Sequence, residues 1–175
     1  AYASSEAWAQ VDVEVTGSTV QPPPSASVTP VRSTVNNWLT LSVNDFPAHS
    51  PVAAKWIRGS GSSFAFATLN TDANGDASTQ IRVPATPGGL NFIWFVSSST
   101  SMTVDFEVVP RIKLTPSITE RGATVDVSLR GYGRREMIRI RWKQGGTWIE
   151  LGQVMTSNTG SANVALVVPN WAPDG

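Results

Sequence analysis

The chain has 175 residues, with 13 basic and 13 acidic side chains, a single His and no Cys. Without Cys there is no disulfide framework, thiolate metal site or Cys nucleophile, and one His leaves a catalytic triad only with His49 as its base. A net charge of zero argues against nucleic acid or an anionic membrane held by bulk electrostatics.

That length accommodates one large domain or two small ones. Ser and Thr number 20 and 17, Gly 14 and Pro 12, against three Lys, a balance that points to an exported protein, secreted or displayed on the cell surface. No stretch approaches the roughly 20 apolar residues of a membrane-spanning helix, so no membrane span is expected.

Period-two alternation runs along the chain. It appears first in Val11-Asp12-Val13-Glu14-Val15, then in Leu39-Thr40-Leu41-Ser42-Val43. It returns in Val125-Asp126-Val127-Ser128-Leu129 and in Ile138-Arg139-Ile140-Arg141-Trp142-Lys143. Each run reads as a half-buried strand. Turn signals fall between them at Pro22-Pro23-Pro24, Asn74-Gly75, Pro87-Gly88-Gly89, Gly145-Gly146 and Thr159-Gly160. With no amphipathic helical window between the runs, the pattern predicts an all-β sandwich or barrel.

The chain also repeats itself at an offset of 86 residues. Leu39, Leu41, Val43 and Phe46 fall on Val125, Val127, Leu129 and Tyr132, and Val52, Ala54 and Trp56 fall on Ile138, Ile140 and Trp142. After a one-residue deletion Leu69 meets Val154, Gly75 meets Gly160, and Val83-Pro84 meets Val168-Pro169. Pro87 and Gly89 then meet Pro173 and Gly175 at the original offset. Apolar positions are kept while the polar ones between them change, as two copies of one sandwich would show.

The copies end differently. After Gly89 the first continues through residues 90–96, a Ser/Thr loop at 97–101, and Thr103-Val104-Asp105-Phe106-Glu107-Val108, a predicted hairpin. The second stops where this hairpin would begin, while residues 11–15 resemble residues 104–108. The expected organisation is an N-terminal strand segment and Pro-rich linker (1–24), a first domain (25–110) and a second (111–175) lacking its last two strands. Three readings stay open. The sequence is a window on a longer chain, or Val11, Val13 and Val15 complete another subunit's second domain head to tail, or they pair within their own chain. For the second reading only one clear strand is on offer, and the weaker segment 4–10 would have to help.

The second copy reads Leu114-Thr115-Pro116-Ser117, then Arg121-Gly122-Ala123-Thr124-Val125 and Gly131-Tyr132, and later Val167-Val168-Pro169. The first keeps Thr29-Pro30, Asp72-Ala73-Asn74-Gly75 and Val83-Pro84, but has Asn36 or Asn37 at the early Gly. This resembles the bacterial extracellular Ig-like repeats of the IPT/TIG kind. The resemblance implies tandem Ig-like sandwiches serving as stalk, spacer or adhesive module, and says almost nothing about a ligand.

Candidate sites are few. His49 lies in a loop and has no nucleophile elbow to serve, so no catalytic residue and no cofactor are expected. Asp72, Asn74 and Asp76 have the oxygen spacing of a calcium loop, but the distal Glu is missing and a type I′ hairpin turn explains the same residues. Trp56 and Trp142 sit at matching inward positions and are expected in the core. Trp38, Trp148 and Trp171 are candidate platforms for stacking a sugar, or else contacts between domains or subunits.

Arg130, Arg134, Arg135, Arg139, Arg141 and Lys143 form the sharpest charge feature. Residues 111–175 hold nine basic and five acidic side chains, net +4, and residues 1–110 hold four and eight, net −4. Arg139, Arg141 and Lys143 alternate with apolar residues, giving a cationic stripe that either meets an acidic partner or is a solvated sheet face. The expected function is an extracellular structural protein, a unit of a bacterial fibre, sheath, stalk or adhesin. It would associate with itself or with neighbouring repeats. The alternative is a carbohydrate-binding accessory module of a secreted enzyme.

Overall fold

The structure, a computed structural model, describes residues 22–58 and 61–172. The predicted strand at Val11, Val13 and Val15 and the matches at Pro173 and Gly175 lie outside the described residues. Within them all regular structure is β, and no helix long and apolar enough to cross a membrane is present.

Residues 25–108 build one sandwich. Strands β1 (Ser25–Thr29), β3 (Trp38–Asn44) and β6 (Ala77–Arg82) make an antiparallel sheet in the order β1-β3-β6. A five-stranded sheet is ordered β2-β8-β7-β4-β5. Its strands are β2 (Arg32–Ser33), β4 (Pro51–Ile57), β5 (Ser63–Asn70), β7 (Gly89–Val96) and β8 (Ser101–Val108). Strand β2 runs parallel to β8 and every other pairing is antiparallel.

The core between the two sheets follows from the alternation. Leu39, Leu41 and Val43 of β3 face inward, opposite Val52, Ala54 and Trp56 of β4, Ile93 and Phe95 of β7, and Phe106 and Val108 of β8. Each large side chain so buried contributes about 1.5–3 kcal/mol.

Strands β9 (Arg111–Thr115), β10 (Thr124–Arg130) and β13 (Ala162–Val167) repeat the first sheet in the order β13-β10-β9. Strands β11 (Met137–Gln144) and β12 (Thr147–Met155) pair as β4 and β5 do. The likeness reaches individual bonds. Buried Thr71 Oγ1 donates to Pro47 O at 2.6 Å and accepts from Ser50 N at 2.9 Å. Thr156 Oγ1 donates to Gly133 O at 2.6 Å and accepts from Glu136 N at 2.8 Å.

Phe46 N donates to Gly75 O as Tyr132 N does to Gly160 O. His49 and Arg135, which are 86 apart, both take φ 50. In β5 a bulge leaves Phe66 unpaired between Ala65 and Ala67, and in β12 the same irregularity leaves Leu151 unpaired between Glu150 and Gly152. An extra residue re-aims a side chain. Phe66 is turned edge-on to Trp56, with ring centroids 5.4 Å apart.

The turn at Asn74-Gly75 differs from expectation. Only Gly75 takes a positive φ (86), and β5 and β6 belong to different sheets, so this is a crossover between sheets and not a type I′ hairpin. An Asn-Gly pair marks a left-handed position, but whether the flanking strands pair is decided elsewhere in the chain. The hairpin with that geometry is Gly145-Gly146, at φ 52 and 88, closing the Gln144↔Thr147 pair.

The two repeats meet closely. Gly88 N donates to Tyr132 O at 3.0 Å. A Cβ built on Gly88 would lie 2.0 Å from Gly131 O. Backbone of one repeat therefore rests directly on backbone of the other.

Candidate functional site

Among the described residues the second repeat has fewer strands than the first. Strand β4 is flanked by β5 and β7, whereas β11 pairs with β12 alone among the described residues. The strands β7 and β8 have no described counterpart. Three consequences follow at the positions those strands would cover.

Val28 of β1 is 3% exposed, while its counterpart Leu114 on β9 is 46% exposed and neighbouring Ile112 51%. Strand β2 is paired to β8. Ile118, at the matching position, is in no strand and stands almost wholly in solvent. Between β10, β11 and β13 lies a cavity of about 170 Å³ lined by Leu114, Val125, Val127, Trp142, Leu166 and Val168, among others.

The two core tryptophans separate on the same ground. Trp56 is fully buried, its Nε1 donates to Asn91 Oδ1 at 3.2 Å, and Phe106 packs edge-on at 5.3 Å. Asn91 and Phe106 lie on β7 and β8. Trp142, expected in the core, is only half-buried, and its Nε1 is shielded from solvent without a hydrogen-bond partner. Such an orphaned donor costs about 1–3 kcal/mol. Its aromatic neighbour is Trp171, edge-on at 6.3 Å. Inward parity was legible in the sequence; the strands that complete the burial belong to the other repeat.

The candidate stacking platforms are exposed and dispersed. Trp38 begins β3, Trp148 lies on β12 and Trp171 follows β13. Two already carry a cation on the ring: Arg82 lies 4.3 Å from the Trp38 centroid and Lys143 5.7 Å from that of Trp148.

The six-residue basic face divides in three. Arg139, Arg141 and Lys143 alternate outward along β11 as expected. Arg134 and Arg135 sit in the preceding loop, where both Nε atoms donate to Asn158 Oδ1, at 3.1 and 2.9 Å. Arg130 lies on β10, in the other sheet, and donates to Leu129 O, Ala162 O and Asn163 Oδ1. A linear run of cations that crosses from one sheet to the other cannot share one face.

Arg130 instead joins Arg82, Arg111 and Lys113 around a cleft of about 690 Å³ between the repeats. That grouping was missed in the sequence, although Arg111 and Lys113 alternate with Ile112 and Leu114 and could have been placed on one side of a strand.

Asp72, Asn74 and Asp76 do lie together, in the crossover turn. Asp72 Oδ1 accepts from Asn74 N at 2.8 Å and Asp76 N at 3.0 Å. Those backbone bonds, with the Asp76 one largest, hold its carboxyl below the usual range. Ser157 Oγ plays the same part in the second repeat, accepting from Thr159 N and Ser161 N. Among the described residues no group of three or more His, Asp or Glu side chains is placed to hold a metal. His49 is exposed, and its backbone N–H donates to Asp72 O. Tyr132 has its phenol pushed above the usual value, by burial first and by Glu136 second.

No protein family and no curated protein matches the chain. Among solved structures, a tetra-tandem repeat from the extending region of a large adhesion protein is 14% identical, with a TM-score of 0.40, over 84% of this chain and 41% of that one. Trypsin-activated alpha-2-macroglobulin from Escherichia coli is 11% identical, with a TM-score of 0.40, over 85% of this chain and 13% of its own. The chain thus spans less than half the length of either. At such scores the overlap is loose, and the fold assignment rests on the strand pairing described above.

Proposed function

We propose that the chain is a non-catalytic structural module of Ig-like repeats, part of an extracellular bacterial fibre, sheath, stalk or adhesin. The observation that carries this reading is the bond-for-bond recurrence of one sandwich in the next, joined backbone to backbone at Gly88 and Tyr132. A unit that stacks on its successor through a fixed joint builds length, which is what a stalk or fibre requires. The Ser/Thr-rich, Lys-poor composition supports export. The test is immunolabelling of intact source cells with an antibody to this chain. Surface label is expected. Label that appears only after permeabilisation would overturn the reading.

A second reading, a carbohydrate-binding accessory module, is favoured by the exposure of Trp148, 59% in solvent. It predicts that polysaccharides quench tryptophan fluorescence and that Trp148→Ala removes the quenching. A flat titration across neutral and acidic glycans would eliminate it.

A further inference from the structure

We propose that the free edge of β11 accepts a strand donated by a second copy of this chain, the donor being residues 11–15. The proposal deepens the structural-module reading and rests on it. Along that edge the backbone donors and acceptors of β11 face no strand among the described residues, whereas the matching edge of β4 is taken by β7. Below it lies an apolar floor that includes Leu114, Val127 and Trp142. An open edge above an unfilled core is what strand addition uses, with main-chain bonds supplying affinity and alternate side chains supplying specificity.

In the first repeat the matching edge of β4 is filled by β7, and β8 follows on the far side of β7. Phe106 and Val108 of β8 are buried while Asp105 and Glu107 are exposed. Residues 11–15, Val11-Asp12-Val13-Glu14-Val15, have the same alternation as Val104-Asp105-Phe106-Glu107-Val108. In the first repeat the strand with that alternation, β8, is paired on both sides, by β7 and β2.

Charge selects the same occupant. With Val11, Val13 and Val15 turned to the floor, Asp12 and Glu14 stand on the outer face. That is the face on which β11 presents Arg139, Arg141 and Lys143. Opposite charges on neighbouring strands favour the pairing, and a basic donor would be rejected. The donated strand is added directly to β11, in the place that β7 takes beside β4.

The test is sedimentation and light scattering of the 175-residue protein across a concentration series. The mass is expected to rise with concentration, and less steeply at high salt. Val13→Asp returns the protein to monomer, while the circular dichroism of the first repeat stays unchanged. Arg141→Glu weakens association at least tenfold, and adding Glu14→Arg to it restores association. That recovery separates a direct contact from a folding defect. A protein that is monomeric at every concentration overturns the proposal, whether the groove is then filled by its own N-terminal segment or by nothing. Assembly indifferent to Val13→Asp overturns it as well. Either failure leaves the surface-labelling test of the structural-module reading untouched.

Discussion

Trp56 and Trp142 occupy one position in two environments, and the difference is measurable. Replacing Trp56 by Phe deletes a buried ring edge and strips Asn91 Oδ1 of its indole donor, leaving it Thr86 Oγ1 alone. A loss of about 2–4 kcal/mol in chemical denaturation is expected. Trp142→Phe removes a donor that has no acceptor, so its cost should stay within about 1 kcal/mol. Equal costs at the two sites would mean that Trp142 Nε1 finds an acceptor in solution. Asp72 offers a residue-scale test of pH. Its folded pKa lies below the ordinary carboxylate value, so its contribution is fully present above that ordinary value and is lost as the pH falls through the depressed one. Asp72→Ser, the residue its counterpart uses, is expected to flatten this acid dependence while keeping the turn.

At the scale of elements, Gly75 and Gly160 are an internal replicate. Each takes a positive φ and sits where a Cβ would lie 2.0 Å from a backbone oxygen, Phe46 O in one case and Tyr132 O in the other. Gly160→Ala is expected to cost about 2 kcal/mol or more in thermal unfolding, and Gly75→Ala a comparable amount. Much at this scale was legible in the sequence. Strands β3, β10 and β11 follow from alternation, and the repeat from apolar positions that keep their spacing while polar ones drift. What escaped depends on partners far along the chain. Asn74-Gly75 looked like a hairpin because the sequence does not say that β5 and β6 belong to different sheets. The cations at 130–143 looked like one face because a run of residues does not show where the chain changes sheets. Asn91, which satisfies Trp56 from 35 residues away, carried no local signal at all.

At the scale of the whole molecule, the zero net charge is a sum of −4 and +4 laid along the chain. In the proposed association such a distribution would favour chains meeting head to tail. Its reach is about a Debye length, roughly 8 Å at physiological salt, so it orients partners near contact and does not gather them from afar.

The parallel pairing of β2 with β8 has a mechanical consequence. Tension entering at the start of the first repeat and leaving beyond Val108 drags these strands in opposite directions along a common axis. The Glu107 N to Val31 O and Val109 N to Ser33 O bonds are then strained together in shear, so none can open before the other. Ile118, where β2 would recur, has no such clamp among the described residues. Pulled from its ends in an atomic force microscope, the chain should give way first in the second repeat and only at higher force in the first. The place where a neighbour's strand is proposed to dock is also the place where an unjoined chain is mechanically weakest.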